Sequence, residues 1–288
     1  QFHQWVKMKL GGVMAYAFLG EGALDYSPCH YGTSRLQLRG PCCDLRGDYI
    51  AMLGGTETYG KYVERPFTAV VGAALGMPVA NLGCMNAGAD AFLHDEAVLG
   101  IAARARAVVV QIMGAQNLSN RYYSVHPRRN DRFLGATPLL RAIFREVDFT
   151  EFHFTRHMLT TLHATSVQRF EVIAEELRAA WVQRMRALLL QIPGPKVLLW
   201  MGAEPPPSPS QRADMALQPL LVDREMIDAV RGEASVYVEL RPSLAAIDEG
   251  TNGMKFAPLD ALAARGLPGP VLHQEVGAAL VPVLRKLL

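Results

Sequence analysis

The residues best suited to chemistry follow a short apolar run, Tyr49 to Leu53, and read Gly54-Gly55-Thr56-Glu57-Thr58-Tyr59-Gly60. Two glycines ahead of a hydroxyl residue make a tight turn that exposes the Thr56 hydroxyl and leaves backbone N–H groups to face an anion or oxyanion. Thr56 is thus the candidate nucleophile, and Gly55, Glu57 and Thr58 are the candidate contacts to substrate. The simpler reading, an N-cap role for Thr56 or Thr58, has equal weight on this segment alone. Two further segments pair small residues with carboxamides: Asn81-Leu82-Gly83-Cys84-Met85-Asn86-Ala87-Gly88 and Met113-Gly114-Ala115-Gln116-Asn117. An amide there could donate to a developing negative charge.

These segments must be positioned by the elements before them. Five apolar runs, Tyr49 to Leu53, Val79 to Leu82, Ala107 to Met113, Val197 to Met201 and Ser235 to Glu239, are each followed by helical periodicity. Strands rich in Val, Ile and Leu on both faces, alternating with helices, predict an α/β doubly wound parallel sheet of flavodoxin-like type, five strands in the order 2-1-3-4-5. Ligands of such sheets bind beyond the carboxyl ends of the strands, where the three segments fall.

Together with a histidine near the C-terminus, the three strand ends resemble the SGNH/GDSL hydrolase superfamily over about residues 48 to 288. Gly54, Gly55, Thr56, Thr58 and Gly60 fall on that family's nucleophile block, with Thr56 in place of the serine and Gly55 in place of the aspartate. The oxyanion glycine of its second block maps to Asn86 without a gap or to Gly88 with a shift. The oxyanion asparagine of the third block maps to Gln116, or to Asn117 with a shift of one. His273 matches the general base, while Pro270 replaces the aspartate that would orient it; Asp248 or Glu249 could supply the missing carboxylate. The resemblance implies an esterase or acyltransferase with no cofactor. The departures bring the motifs closer to an uncharacterised bacterial family than to an active esterase.

About eighty residues separate the third and fourth strands, far more than one crossover needs. The segment 118–195 therefore reads as a helical insertion packed over or beside the carboxyl edge, in a single domain spanning 14–288. Thr165 and Gln168 suggest a capping box for a long helix reaching about Leu190. Within the insertion, Arg121, Arg128, Arg129 and Arg132 cluster with Tyr122, Tyr123 and His126, a set that could seat phosphate, sulfate or carboxylate or could be a solvated face. His153 and His157, four apart, would share a helical face, but no metalloprotease glutamate follows His153, so packing or surface roles are favoured and no metal site is expected. Cys84 reads as a small buried residue. Glu204 to Ser210, rich in proline, reads as a stiff extended loop.

Charge and composition bound the function. Lys and Arg number 29 against 27 Asp and Glu, giving a net charge of +2, too small a field to argue for nucleic acid or an anionic membrane. No apolar run reaches the roughly 18 residues of a membrane span. The four cysteines, two of them adjacent, are too few for a disulfide scaffold and point to a reducing cytoplasm. Residues 1 to 13 read as a vector-derived leader or similar segment ahead of Met14. The leading expectation is an SGNH-like hydrolase or acyltransferase acting on an anionic small-molecule, carbohydrate or lipid-like substrate. A catalytically silent α/β binding protein and a phosphate or sulfate transferase are the alternatives, and homo-oligomerisation stays open.

Overall fold

A computed structural model describes residues 21–208 and 214–288. The proposed leader and the end of the proline-rich loop lie outside the described residues. Strands β1 (Ile50–Gly54), β2 (Val79–Gly83), β3 (Ala107–Gln111), β6 (Lys196–Met201) and β7 (Val236–Leu240) form one sheet. Its order is β2-β1-β3-β6-β7, with every pairing parallel, as the alternation of apolar runs and helices predicts. β1 and β3 are buried along their whole length, which is why they carry apolar residues on both faces.

The two faces have separate cores. On one, Ile50, Met52, Val109, Val197 and Leu199 pack against α2 (Phe67–Leu75) and α11 (Pro270–Leu287). On the other, Ala51, Leu53, Val108, Val110 and Leu198 meet α3 (Ala89–Leu93), α4 (Glu96–Arg104), α7 (Val167–Gln191) and α8 (Arg224–Val230). Because all five strands point one way, Gly54, Gly83 and Gln111 end at one edge of the sheet. The short helix α1 (Thr56–Tyr59) lies on that edge. None of the described helices is long and apolar enough to cross a membrane.

The insertion corrects one expectation, since it opens with a β-hairpin. β4 (Tyr123–His126) and β5 (Arg129–Ala136) pair antiparallel, joined through Pro127 and Arg128. The sequence carries the signature of half-buried strands: Tyr123, Val125 and Phe133 are buried while Ser124, Arg132 and Leu134 face out. Helices α5 (Pro138–Ile143), α6 (Thr155–Thr165) and α7 follow. The cap of α7 lies one residue beyond the expected Thr165, on Ser166, whose hydroxyl accepts from Arg169 N. His153 precedes α6, so it shares no helical face with His157, which packs edge-on to Phe152.

Candidate functional site

Gln111 organises the Thr56 turn. It is the polar residue closing an otherwise apolar β3, and it is buried. Its Oε1 accepts from Gly55 N at 3.0 Å, Thr58 N at 3.2 Å and Thr58 Oγ1 at 2.5 Å. Its Nε2 donates to Glu57 Oε2 at 2.7 Å. α1 has no side-chain cap of its own, so the neighbouring strand supplies the acceptor that its first N–H groups need. Gly83 lets α1 lie this close to the sheet, because a Cβ there would sit 2.2 Å from Tyr59 N.

Arg39 holds the chain leaving α1. Its buried guanidinium donates to the carbonyls of Tyr59, Gly60, Val63 and Glu64 at 2.9 to 3.1 Å and stacks over Tyr26. Nothing in the local sequence around Arg39 signals this role, since all four acceptors lie 20 or more residues away.

Thr56 Oγ1, largely buried, accepts from Asn86 N at 2.9 Å and donates to Asn86 Oδ1 at 3.1 Å. Asn86 has φ +57, the left-handed region that Asn tolerates better than most residues. Its Nδ2 donates to Asp131 Oδ2 at 3.1 Å. Thr56, Asn86 and Asp131 therefore form one hydrogen-bonded line, with the carboxylate delivered by the insertion hairpin. Burial raises the Asp131 pKa, and Arg129, Asn86 and Arg132 pull it back. Asn130, the buried residue before it, fixes the hairpin: its Oδ1 accepts from Gly88 N at 3.0 Å and its Nδ2 donates to His126 O at 3.0 Å.

The other sequence candidates have different surroundings. Gly88 spends its N–H on Asn130, and a Cβ there would lie 2.1 Å from Asn117 O, so the glycine serves close packing. Asn117 donates to Asn86 O at 2.9 Å and accepts from Thr155 Oγ1 at 2.7 Å, which ties the Asn86 turn to α6. Gln116 keeps a buried Oε1 without a hydrogen-bond partner among the described residues, and its carbonyl accepts from Tyr123 OH. The Gly55 N–H is taken by Gln111. Cys84 is buried and its thiol is pushed up to about 12, chiefly by burial.

His273 sits inside α11 and is 1% exposed. Its Nδ1 accepts from Phe67 N at 3.0 Å, capping α2, which lacks a side-chain cap of its own. The ring stacks on Phe67 with centroids 5.8 Å apart. Burial, then the Arg39 charge, lowers its pKa to about 3, so the ring is neutral with its proton on Nε2. Both hydrogen bonds of Thr56 Oγ1 go to Asn86 and neither to His273. Asp248 is exposed on α9 (Leu244–Glu249), which with α10 (Ala261–Ala264) precedes α11, and it forms no bond to His273. Glu249 accepts from Val271 N at 2.9 Å and thereby caps α11.

The arginine cluster divides. Arg121 turns to Glu176, 3.6 Å away, and lies over Tyr122. Arg132 packs over Phe154. Arg128 is exposed at the hairpin tip, and Arg129 and Arg132 lie close enough to Asp131 to lower its pKa. Among the described residues, no group of three or more His, Cys, Asp or Glu could hold a metal ion.

Comparison with known proteins places the sequence. Residues 14–288 match the family described as "Domain of unknown function (DUF6473)". The chain belongs to that family. Nothing among curated proteins matches it. Among solved structures, this DUF6473 member is similar to a gut microbial diltiazem-metabolizing enzyme, at 12% identity and a TM-score of 0.32, over 85% of this chain and 48% of the enzyme. The chain thus spans about half the length of that enzyme, and a likeness of this degree carries no argument about activity.

Proposed function

We propose that the carboxyl edge around Thr56 is an SGNH-like site that hydrolyses or transfers an ester or acyl group of a small molecule, carbohydrate or lipid-like substrate bearing an anionic group. The observation that carries this reading is the line from Thr56 Oγ1 through Asn86 to Asp131, at the sheet edge where doubly wound folds bind ligands. Thr56 Oγ1 attacks the acyl carbon, the ester C–O bond breaks, and the hydroxyl proton ends on the departing alkoxide to give the alcohol; water or an acceptor hydroxyl then takes the acyl group from Thr56. Asn86 orients the hydroxyl, and Asp131, its basicity raised by burial, holds the Asn86 amide. Arg128, in the hairpin turn, and Arg129, the first residue of β5, would meet the anionic group.

A second reading, a catalytically silent binding protein, is favoured by His273, whose Nδ1 is occupied and whose ring is neutral. Turnover of activated short-chain esters separates the two. The enzyme reading expects wild-type turnover that falls at least about 10³-fold in Thr56→Ala and survives in Thr56→Ser. Absence of turnover from both wild type and Thr56→Ser, with native circular dichroism, rejects it in favour of the binding protein.

A further inference from the structure

We propose that Cys29 and Cys42 are a redox pair that closes to an intramolecular disulfide when the protein meets a small-molecule disulfide such as oxidised glutathione. The pair does not depend on any reaction at Thr56. Residues 26–40 fold back on themselves: Cys29 and Leu38 exchange backbone hydrogen bonds at 3.0 and 3.1 Å, and Gly40 N donates to Tyr26 O at 3.1 Å. The chain then turns so that Cys42 Sγ lies 3.5 Å from His30 O, beside Cys29. Cys29 Sγ faces Arg39 O at 4.0 Å, on the segment that leads to Cys42, so both thiols lie against the same fold-back.

The other cysteines are placed differently. Cys43 Sγ turns to Asp44 O at 3.4 Å, and Cys84 is buried in the core. Bridging adjacent Cys42 and Cys43 would demand strained geometry. Cys42 is exposed and Cys29 is half-buried, which gives them distinct roles.

The Cys42 thiolate attacks one sulfur of oxidised glutathione; the new S–S bond forms as the glutathione S–S bond breaks, and one glutathione leaves as thiolate. Cys29, once deprotonated, attacks Cys42 Sγ and expels the second glutathione. Two electrons pass from the cysteine pair to glutathione, and the two protons end on the two released thiols. Burial pushes the Cys29 thiol up to about 12, so closure is faster in alkaline solution. The closed loop carries Arg39, the side chain that holds the carbonyls between α1 and α2, so the disulfide would fasten that support.

The test is peptide mapping by mass spectrometry. The folded full chain is incubated with oxidised glutathione at mildly alkaline pH, then unfolded, alkylated and digested. A Cys29–Cys42 linked peptide lighter by two hydrogens, with Cys43 and Cys84 alkylated, is the expected result, reversed by dithiothreitol. Cys43→Ser should crosslink like wild type, whereas Cys29→Ser should leave Cys42 carrying glutathione. No Cys29–Cys42 link in wild type, or a link from Cys42 to Cys43, overturns the proposal. The wild-type map decides the matter even where a serine variant fails to fold.

Discussion

At the scale of single residues, the hydroxyl of Thr56 and the amide of Gln111 are organised by different means. Thr56 uses both its donor and its acceptor on Asn86, while Gln111 gathers three donors from Gly55 and Thr58 onto one buried oxygen. Replacing that amide with an apolar group of similar length leaves two N–H groups and a hydroxyl buried without partners. Gln111→Leu should therefore lose about 3 kcal/mol in urea unfolding, because unsatisfied buried donors cost more than a lost hydrogen bond contributes. An unchanged midpoint would mean that water replaces the amide and that Gln111 does not define the turn. The sequence flagged Thr56 from its glycines but passed over Gln111. A polar residue closing an all-apolar strand was the available signal.

At the scale of elements, the hairpin β4–β5 brings Asp131 to the sheet edge, and Asn130 fastens it there. Asn130 is almost wholly buried and links the hairpin tip to Gly88. Asn130→Ala should cost about 2 kcal/mol and speed amide exchange at Gly88 and along residues 126–131, as seen by hydrogen–deuterium exchange. If exchange at Gly88 is unaltered, the hairpin is held by other contacts and the placement of Asp131 does not depend on Asn130. The hairpin was legible in principle, from the alternation of Tyr123, Val125 and Phe133 with polar neighbours. Its docking onto the turn at Asn86 was not, since that contact joins residues 45 apart.

At the scale of the whole molecule, His273 joins the C-terminal helix to the start of α2 across one face of the sheet. Burial depresses its pKa from the ordinary imidazole value of 6.5 to about 3, so the unfolded chain binds a proton that the folded chain refuses anywhere between those limits. Stability from this group is present in full above pH 6.5 and is lost as pH falls toward 3, at about 1.4 kcal/mol per pH unit. Chemical denaturation at pH 7 and pH 5 should show wild type losing about 2 kcal/mol more than His273→Gln over that interval. Equal losses in the two proteins would show that His273 is not buried neutral and would reopen a role for it as a base.

What the sequence by itself determined is the sheet: its five strands, their parallel order and the carboxyl edge on which Thr56, Asn86 and Gln116 fall. That is because burial on both faces writes apolar runs directly into the chain. Which polar groups meet at that edge was decided only in three dimensions. His273 stands where a general base would be expected in the chain, yet the packing of α11 on α2 spends its Nδ1 on Phe67. Asp131, which stands between Asn130 and Arg132 in the chain, becomes the carboxylate behind Asn86 once the hairpin folds over the sheet. Hydrogen-bond partners depend on distances between segments far apart in sequence, and a linear pattern of residue types carries no such distances.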